Sequence, residues 1–222
     1  MNRMIGYDEL LKTYEFDLNL IRLGRNCDGG YVLPRELIND NLISCGIGND
    51  ISFEEDYIRM VEHPNIHCFD GTIEKFPSEN PLYSFHCKNI GPYDDDDNIS
   101  LNTIFSCFFK GQNKVFVKID IESAEYGAFS TLSQENLKKI DCLLLEVHDI
   151  SLKYFDLCSL MSKLNSELVL IHIHDNNCGG YFSHNNKSYG NCYELTFINK
   201  DRILKINNDN SPIEGLDFPN IW

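Results

Sequence analysis

The chain has 222 residues, 42% of them hydrophobic, enough for one domain of ordinary size that buries well over half of its unfolded surface. Its 19 Lys and Arg stand against 34 Asp and Glu, a net charge of -15, which excludes a nucleic-acid backbone as partner because that requires basic clusters. No apolar run approaches the roughly 18 residues of a membrane span, and the N-terminus lacks a signal-peptide core, so no membrane association is expected.

In chain order, Tyr7 to Tyr14 predicts a short helix. Leu20–Leu23 and Tyr31–Leu33 predict small extended segments around a loop from Gly24 to Gly30. Residues 42–46 predict a strand, then a glycine turn and a helix over 51–62. Strands follow at 65–69 and 84–90, a helix at 99–109, a strand at 114–120 and a helix at 123–137. The series closes with strand 140–148, helix 153–165 and strands 167–174 and 192–198. Helices between strands imply right-handed βαβ crossovers, hence an α/β fold with a mainly parallel sheet. Asp175 to Asn191 has no helical period and is rich in Asn and Gly, so the last strand is expected antiparallel. The implied organisation is a single domain. Residues 1–40 form an extension whose Asp28-Gly-Gly-Tyr31 folds over the site as a lid, 41–198 the core, and 199–222 a tail anchored by Leu216, Phe218 and Trp222. The Asp94 to Asp97 run reads as a solvated loop.

Nine cysteines, an odd count without a CxxC pair, indicate neither a disulfide framework nor a sulfur-ligated zinc site. Cys45, Cys68, Cys87 and Cys142 sit in strand-like apolar runs, where free cysteine acts as a small hydrophobe. A reducing compartment, the cytoplasm, is expected.

The turn Gly46-Ile47-Gly48 after the first core strand is the most informative stretch. Glycines there permit positive φ and let a ligand approach the backbone. About twenty residues on, the next strand ends in Asp70, where a carboxylate can accept both hydroxyls of a ribose. The turn lacks GxxxxGK[ST] and a full GxGxxG, and the following helix starts with Asp50, Glu54, Glu55 and Asp56, which would repel a pyrophosphate. S-adenosylmethionine, a sulfonium cation without phosphate, suits this turn better than NAD.

Ligands of such sheets sit at the carboxyl ends of the strands. Strand 114–120 ends with Lys118, Asp120 and Glu122 on one side, and the two carboxylates serve either as catalytic groups or as caps of the next helix. Strand 140–148 ends with Glu146 and His148, and strand 167–174 with His172 and His174, each pair on one face. A histidine is the natural general base near neutral pH. His63, His67, His86 and His184 have no partners by spacing.

Five stretches together resemble the FkbM-type methyltransferases: residues 28–34, 44–54, 68–72, 117–125, and 172–177 followed by Glu194-Leu-Thr. The resemblance implies a Rossmann-like, seven-stranded class I methyltransferase sheet, S-adenosylmethionine as cofactor, and O-methylation of a sugar or other small hydroxylated acceptor. Ser123 stands where the family usually carries glycine. Carried onto this sequence, Gly46, Ile47 and Gly48 meet the methionine part, Asp70 and Gly71 the ribose, and Asn89 and Ile90 the adenine. Asp120 and Glu122 face the methyl group and acceptor. His148 is the first choice of base, with Asp120 orienting it or sharing the proton. A divalent cation, if used, would fall to Asp120, His148 and His174. Two rivals stand beside this reading: a non-catalytic binding module of the same fold, and a metal-dependent hydrolase built on His148, His172 and His174. Tyr181, Phe182 and Tyr189 are expected to offer rings on which a sugar could stack.

Overall fold

The structure, a computed structural model, describes residues 5–202, 205–206 and 212–221. Seven strands form its central sheet: β1 (Asn41–Cys45), β2 (Asn65–Phe69), β3 (Tyr83–His86), β4 (Val115–Ile119), β5 (Ile140–Val147), β6 (Leu168–Asp175) and β7 (Tyr193–Asn199). Their order across the sheet is β3-β2-β1-β4-β5-β7-β6. Neighbours pair in parallel except at β7, which runs antiparallel to both β5 and β6. Between β6 and β7 lies a hairpin, Tyr181–His184 with Lys187–Gly190, rather than a crossover helix. The chain therefore reverses into β7 and inserts it beside β5.

The helices are α1 (Tyr7–Leu10), α2 (Ser52–Ile58), α3 (Leu101–Phe108), α4 (Glu125–Thr131), α5 (Gln134–Leu137) and α6 (Tyr154–Leu164). Apolar faces of α3, α4 and α6, through Phe105, Phe129 and Leu157, bury Val117, Leu143 and Leu145 on one side of the sheet. The other side is covered differently. There α2, through Phe53 and Tyr57, is joined by Leu23, Tyr31 and Leu33 of the hairpin Leu20–Leu23/Tyr31–Pro34, over Leu42, Phe116 and Leu144. Leu33 and Leu37 are fully buried, so the segment before Asn41 is part of the core.

Several expected elements are shorter or divided. The strand expected over 84–90 splits: Tyr83–His86 joins the sheet, while Asn89–Gly91 pairs in parallel with Asn98–Ser100. Cys87 falls in the break and is exposed, not part of an apolar strand. The helix expected over 123–137 stops at Thr131, where Leu132 turns to ψ 127, and restarts when Ser133 Oγ accepts from Asn136 N. The first helix stops at Leu10 and α2 at Ile58, short of the expected 14 and 62. In the acidic run, Asp94 accepts from Ser100 N and Thr103 Oγ1, and Asp95 accepts from the backbone of Asp97 and Asn98. The tail lies against the hairpin: Arg22 donates to Leu216 O at 3.1 Å, with its guanidinium 5.5 Å from the Phe218 ring centroid. Trp222 lies outside the described residues. Among these residues no helix is long and apolar enough to cross a membrane.

Candidate functional site

From β1 the chain crosses to β2 on one side, and from β4 it crosses to β5 on the other, so a crevice opens between the carboxyl ends of β1 and β4. Gly46 N donates to Phe69 O and Asp120 N to Cys45 O, both at 3.0 Å, fixing the turn between β2 and β4. At Gly46, φ is +77 and a Cβ would stand 1.5 Å from the Asp120 carbonyl oxygen, so no other residue fits. At Gly48, φ is +55 and nothing lies within 4 Å of a Cβ, so this backbone faces open space. Gly48 borders a cavity of about 410 Å³. Gly46, Ile47, Gly48, Asp70, Gly71, Asn89, Ile90, Asp120 and Glu122 all line it. A smaller cavity of about 260 Å³ shares Gly46, Gly48 and Asp120 and is walled by Arg25, Asp28, Gly29 and Tyr31 of the N-terminal loop.

Asp70 does more than present a carboxylate to this cavity. Its Oδ2 accepts from Ile47 N at 2.9 Å and Gly48 N at 2.8 Å. Its Oδ1 accepts from Thr72 N at 2.7 Å and Thr72 Oγ1 at 2.6 Å. The carboxylate thus holds the glycine turn in place. Burial opposes its charge, but the bonds from Gly48, Thr72 and Ile47 outweigh burial and lower its pKa. Lys118 braces the same turn from beneath, donating from Nζ to Gly46 O at 2.6 Å.

Beside the crevice lies a tight acidic group. Tyr31 Oη donates to Asp120 Oδ2 at 3.1 Å and sits 3.3 Å from Glu146 Oε2. Burial first, and then the nearby Glu146 charge, push the Asp120 pKa up to about 7. His148 is surrounded by acids: Nδ1 donates to Glu125 Oε1 at 2.8 Å, and Nε2 lies 3.4 Å from Glu146, 3.5 Å from Glu122 and 3.9 Å from Asp120. Burial works against a charged imidazole, yet bonds to Cys192, Glu125 and Glu146 outweigh it and raise the pKa well above the ordinary value. We attribute the rise to the carboxylates, because burial leaves the Cys192 thiol itself protonated. The carboxylates thus favour the protonated imidazole, a form with no lone pair to take a proton, so they work against a role for His148 as base. Glu122 is mostly exposed, with φ +52. Neither Asp120 nor Glu122 caps α4, whose N-cap Ala124 makes no side-chain bond. Ser123 has φ +75, the left-handed backbone that glycine adopts without strain, and its Oγ donates to Asp149 Oδ2.

The remaining histidines part company. His174 Nδ1 donates to Glu194 Oε2 at 2.9 Å, and His172 Nε2 bonds to Asp217 at 3.1 Å. Neither belongs to a group of potential metal ligands among the described residues, so the three-histidine centre of a hydrolase and the Asp120–His148–His174 set are not formed. His67, which has no partner by spacing, bonds His86 Nε2 through Nδ1 at 2.9 Å, because β2 and β3 are neighbours. Tyr31, Glu125, Cys192 and Asn220 are site residues to which sequence reasoning gave no role. Asn220 donates to Glu194 Oε1 at 2.6 Å, across 26 residues, and Tyr31 reaches Asp120 across 89. The stretches 28–34 and 117–125 include Tyr31 and Glu125, while Cys192 and Asn220 carried no signal.

The family model of the methyltransferase FkbM domain matches residues 14–188. No curated protein and no solved structure matches the chain. The chain belongs to the FkbM methyltransferase family.

Proposed function

We infer that this family member binds S-adenosylmethionine in the crevice between β1 and β4 and methylates a hydroxyl group of a small or glycan acceptor. The single observation that carries this reading is the 410 Å³ cavity, lined together by Gly46, Gly48, Asp70, Asn89 and Asp120. The strand order supports a Rossmann-like methyltransferase sheet, in which such a crevice is the ligand position. The glycine cradle fits the cofactor, because a side chain at Gly46 would collide with Asp120 while the Gly48 face is open. When bound, the cofactor supplies an electrophilic methyl group on a sulfonium.

The chain's own residues then have three tasks. Gly46 and Gly48 admit the ligand to the backbone. Asp120 takes the acceptor's hydroxyl proton on its carboxylate, since a pKa of about 7 leaves it half ionised at neutral pH. His148, held cationic, offsets part of the charge of Glu125, Glu146 and Asp120 and keeps Asp120 oriented toward the crevice. A second cavity of about 470 Å³ at the end of β6 shares no lining residue with the first. Tyr7, Tyr181, Tyr189 and Tyr193 line it, and a tyrosine offers an apolar ring face with a polar tip.

Incubation with methyl-labelled S-adenosylmethionine and a panel of hydroxylated acceptors is the test. Label recovered as an ether on an acceptor hydroxyl supports the reading. Tight cofactor binding with no transfer to any acceptor would instead establish the non-catalytic binding module.

A further inference from the structure

Behind Asp120, three donor atoms of different chemistry converge from separate parts of the chain. Glu146 lies at the end of β5, His148 just beyond it, and Cys192 immediately before β7. Because β7 is antiparallel, its start lies at the carboxyl end of the parallel strands, which brings a residue 44 positions from His148 to the same spot. Glu146 Oε1 is 3.4 Å from His148 Nε2 and 3.2 Å from Cys192 Sγ, and the three ligand atoms lie within 4.8 Å of one another. A tetrahedral ion with bonds of about 2.0–2.3 Å to nitrogen, oxygen and sulfur sets such atoms about 3.3–3.5 Å apart. The two separations from Glu146 Oε1 fit such an ion.

The surroundings fit as well. Glu125 Oε1 accepts a hydrogen bond from Nδ1 of His148, which leaves Nε2 beside Glu146, the carboxylate–histidine arrangement of metal-ligating imidazoles. Asn176 Nδ2 donates to Glu146 Oε1 at 2.6 Å, and Tyr31 Oη approaches its Oε2. Independently of these contacts, Glu125 is fully buried and its second oxygen, Oε2, has no hydrogen-bond partner. A buried carboxylate left partly unpaired is costly, and a nearby divalent cation offsets that charge.

We propose that Glu146, His148 and Cys192 bind a divalent metal ion of the zinc type, leaving its fourth position open toward Asp120 and Glu122. Binding displaces the His148 Nε2 proton and the Cys192 thiol proton to solvent, and the ion takes over the positive charge that the imidazolium supplies in the metal-free protein. The inference deepens the proposed methyl transfer: an acceptor hydroxyl on the open position is acidified, its O–H bond breaks, and the proton passes to Asp120.

The test uses the intact protein, equilibrated with zinc chloride, dialysed against metal-free buffer and assayed for metal by mass spectrometry. Retained stoichiometric zinc is expected. Cobalt substitution is expected to give a thiolate-to-cobalt absorption band that disappears in Cys192→Ser while the circular dichroism spectrum is kept. Glu125→Gln, which removes only a supporting contact, is expected to weaken zinc binding by about 10–100-fold. Wild type that retains no zinc overturns the proposal, as does a cobalt spectrum unchanged in Cys192→Ser. S-adenosylhomocysteine binding is measured on the same samples. Zinc retained without such binding upholds the metal site and overturns only the methyl-transfer reading.

Discussion

Replacing Asp70 by alanine should cost the fold far more than an ordinary surface change. The substitution strips partners from the N–H groups of Ile47, Gly48 and Thr72 and from the Thr72 hydroxyl. Ile47 is buried, so its orphaned N–H bears a desolvation penalty of about 1–3 kcal/mol. The half-buried Gly48 N–H adds about 1 kcal/mol, and the two groups of the exposed Thr72, which regain water, add about 1 kcal/mol together. A loss of about 3–5 kcal/mol follows, a large part of the roughly 5–15 kcal/mol that holds an ordinary domain together. Urea unfolding followed by circular dichroism measures it, with Asp96→Ala in the exposed acidic loop as a control expected within about 0.5 kcal/mol of wild type. The pH dependence has a definite sign. The folded pKa of Asp70 is depressed, so its contribution is present above its unfolded pKa near 3.9 and is lost as pH falls through the lower folded value. The gap between wild type and variant should therefore narrow in acid. A loss below about 1 kcal/mol at neutral pH, with an unchanged denaturant slope, would refute the role of Asp70 as brace of the turn.

Asp120→Asn should lower the methyl-transfer rate by about 10²–10⁴-fold, measured by single-turnover kinetics, and abolish the rise in wild-type rate through pH 7. Tyr31→Phe removes a donor to ionised Asp120, so the pH–rate profile should move upward by about 0.4–1 unit; a downward move contradicts the assignment. His148→Ala should destabilise the protein by about 3–5 kcal/mol, because the carboxylates around it lose their cation. Its folded pKa is raised, so that penalty is full below pH 6.5 and shrinks as pH climbs toward the folded value, which unfolding curves at several pH values will show. Gly29→Ala drives a Cβ to 2.5 Å from Asp50 Oδ2 at φ +84, so it should disturb the loop beside the glycine turn and lower turnover; unchanged kinetics would sink a closing role for that loop.

The parallel sheet, the reversed last strand and the glycine turn were legible because each rests on local patterning: apolar runs, helical periods between them, and Gly46 and Gly48 at a strand end. Asp70 and Asp120 were legible by the same logic, as polar residues where a strand runs out. Their partners were not. The hairpin bearing Tyr31 covers the sheet where a helix would ordinarily pack, and the expectation that Asp28-Gly-Gly-Tyr31 lies over the site did not extend to a bond from Tyr31 to Asp120, 89 residues away. The surroundings of His148 were hidden because its charge depends on Glu125 at the start of α4 and Glu146 on β5, whose convergence strand alternation alone does not show. The split of the strand over 84–90 was hidden for a related reason: Asn89–Gly91 finds its partner in Asn98–Ser100, outside the main sheet. Ser123 shows a different limit. Its left-handed backbone explains why glycine suits that position, but only the structure supplies the bond to Asp149 that accompanies the serine.

Titration calorimetry with S-adenosylhomocysteine on the wild-type protein and on Gly48→Val measures the central claim directly. A valine at Gly48 is strained at φ +55 and fills the open face of the turn. One-to-one binding to wild type, with a raised melting temperature, and its loss in a folded Gly48→Val is the result expected of a cofactor seated between β1 and β4. No heat of binding to the folded wild-type protein, or equal affinity in the two proteins, would contradict it.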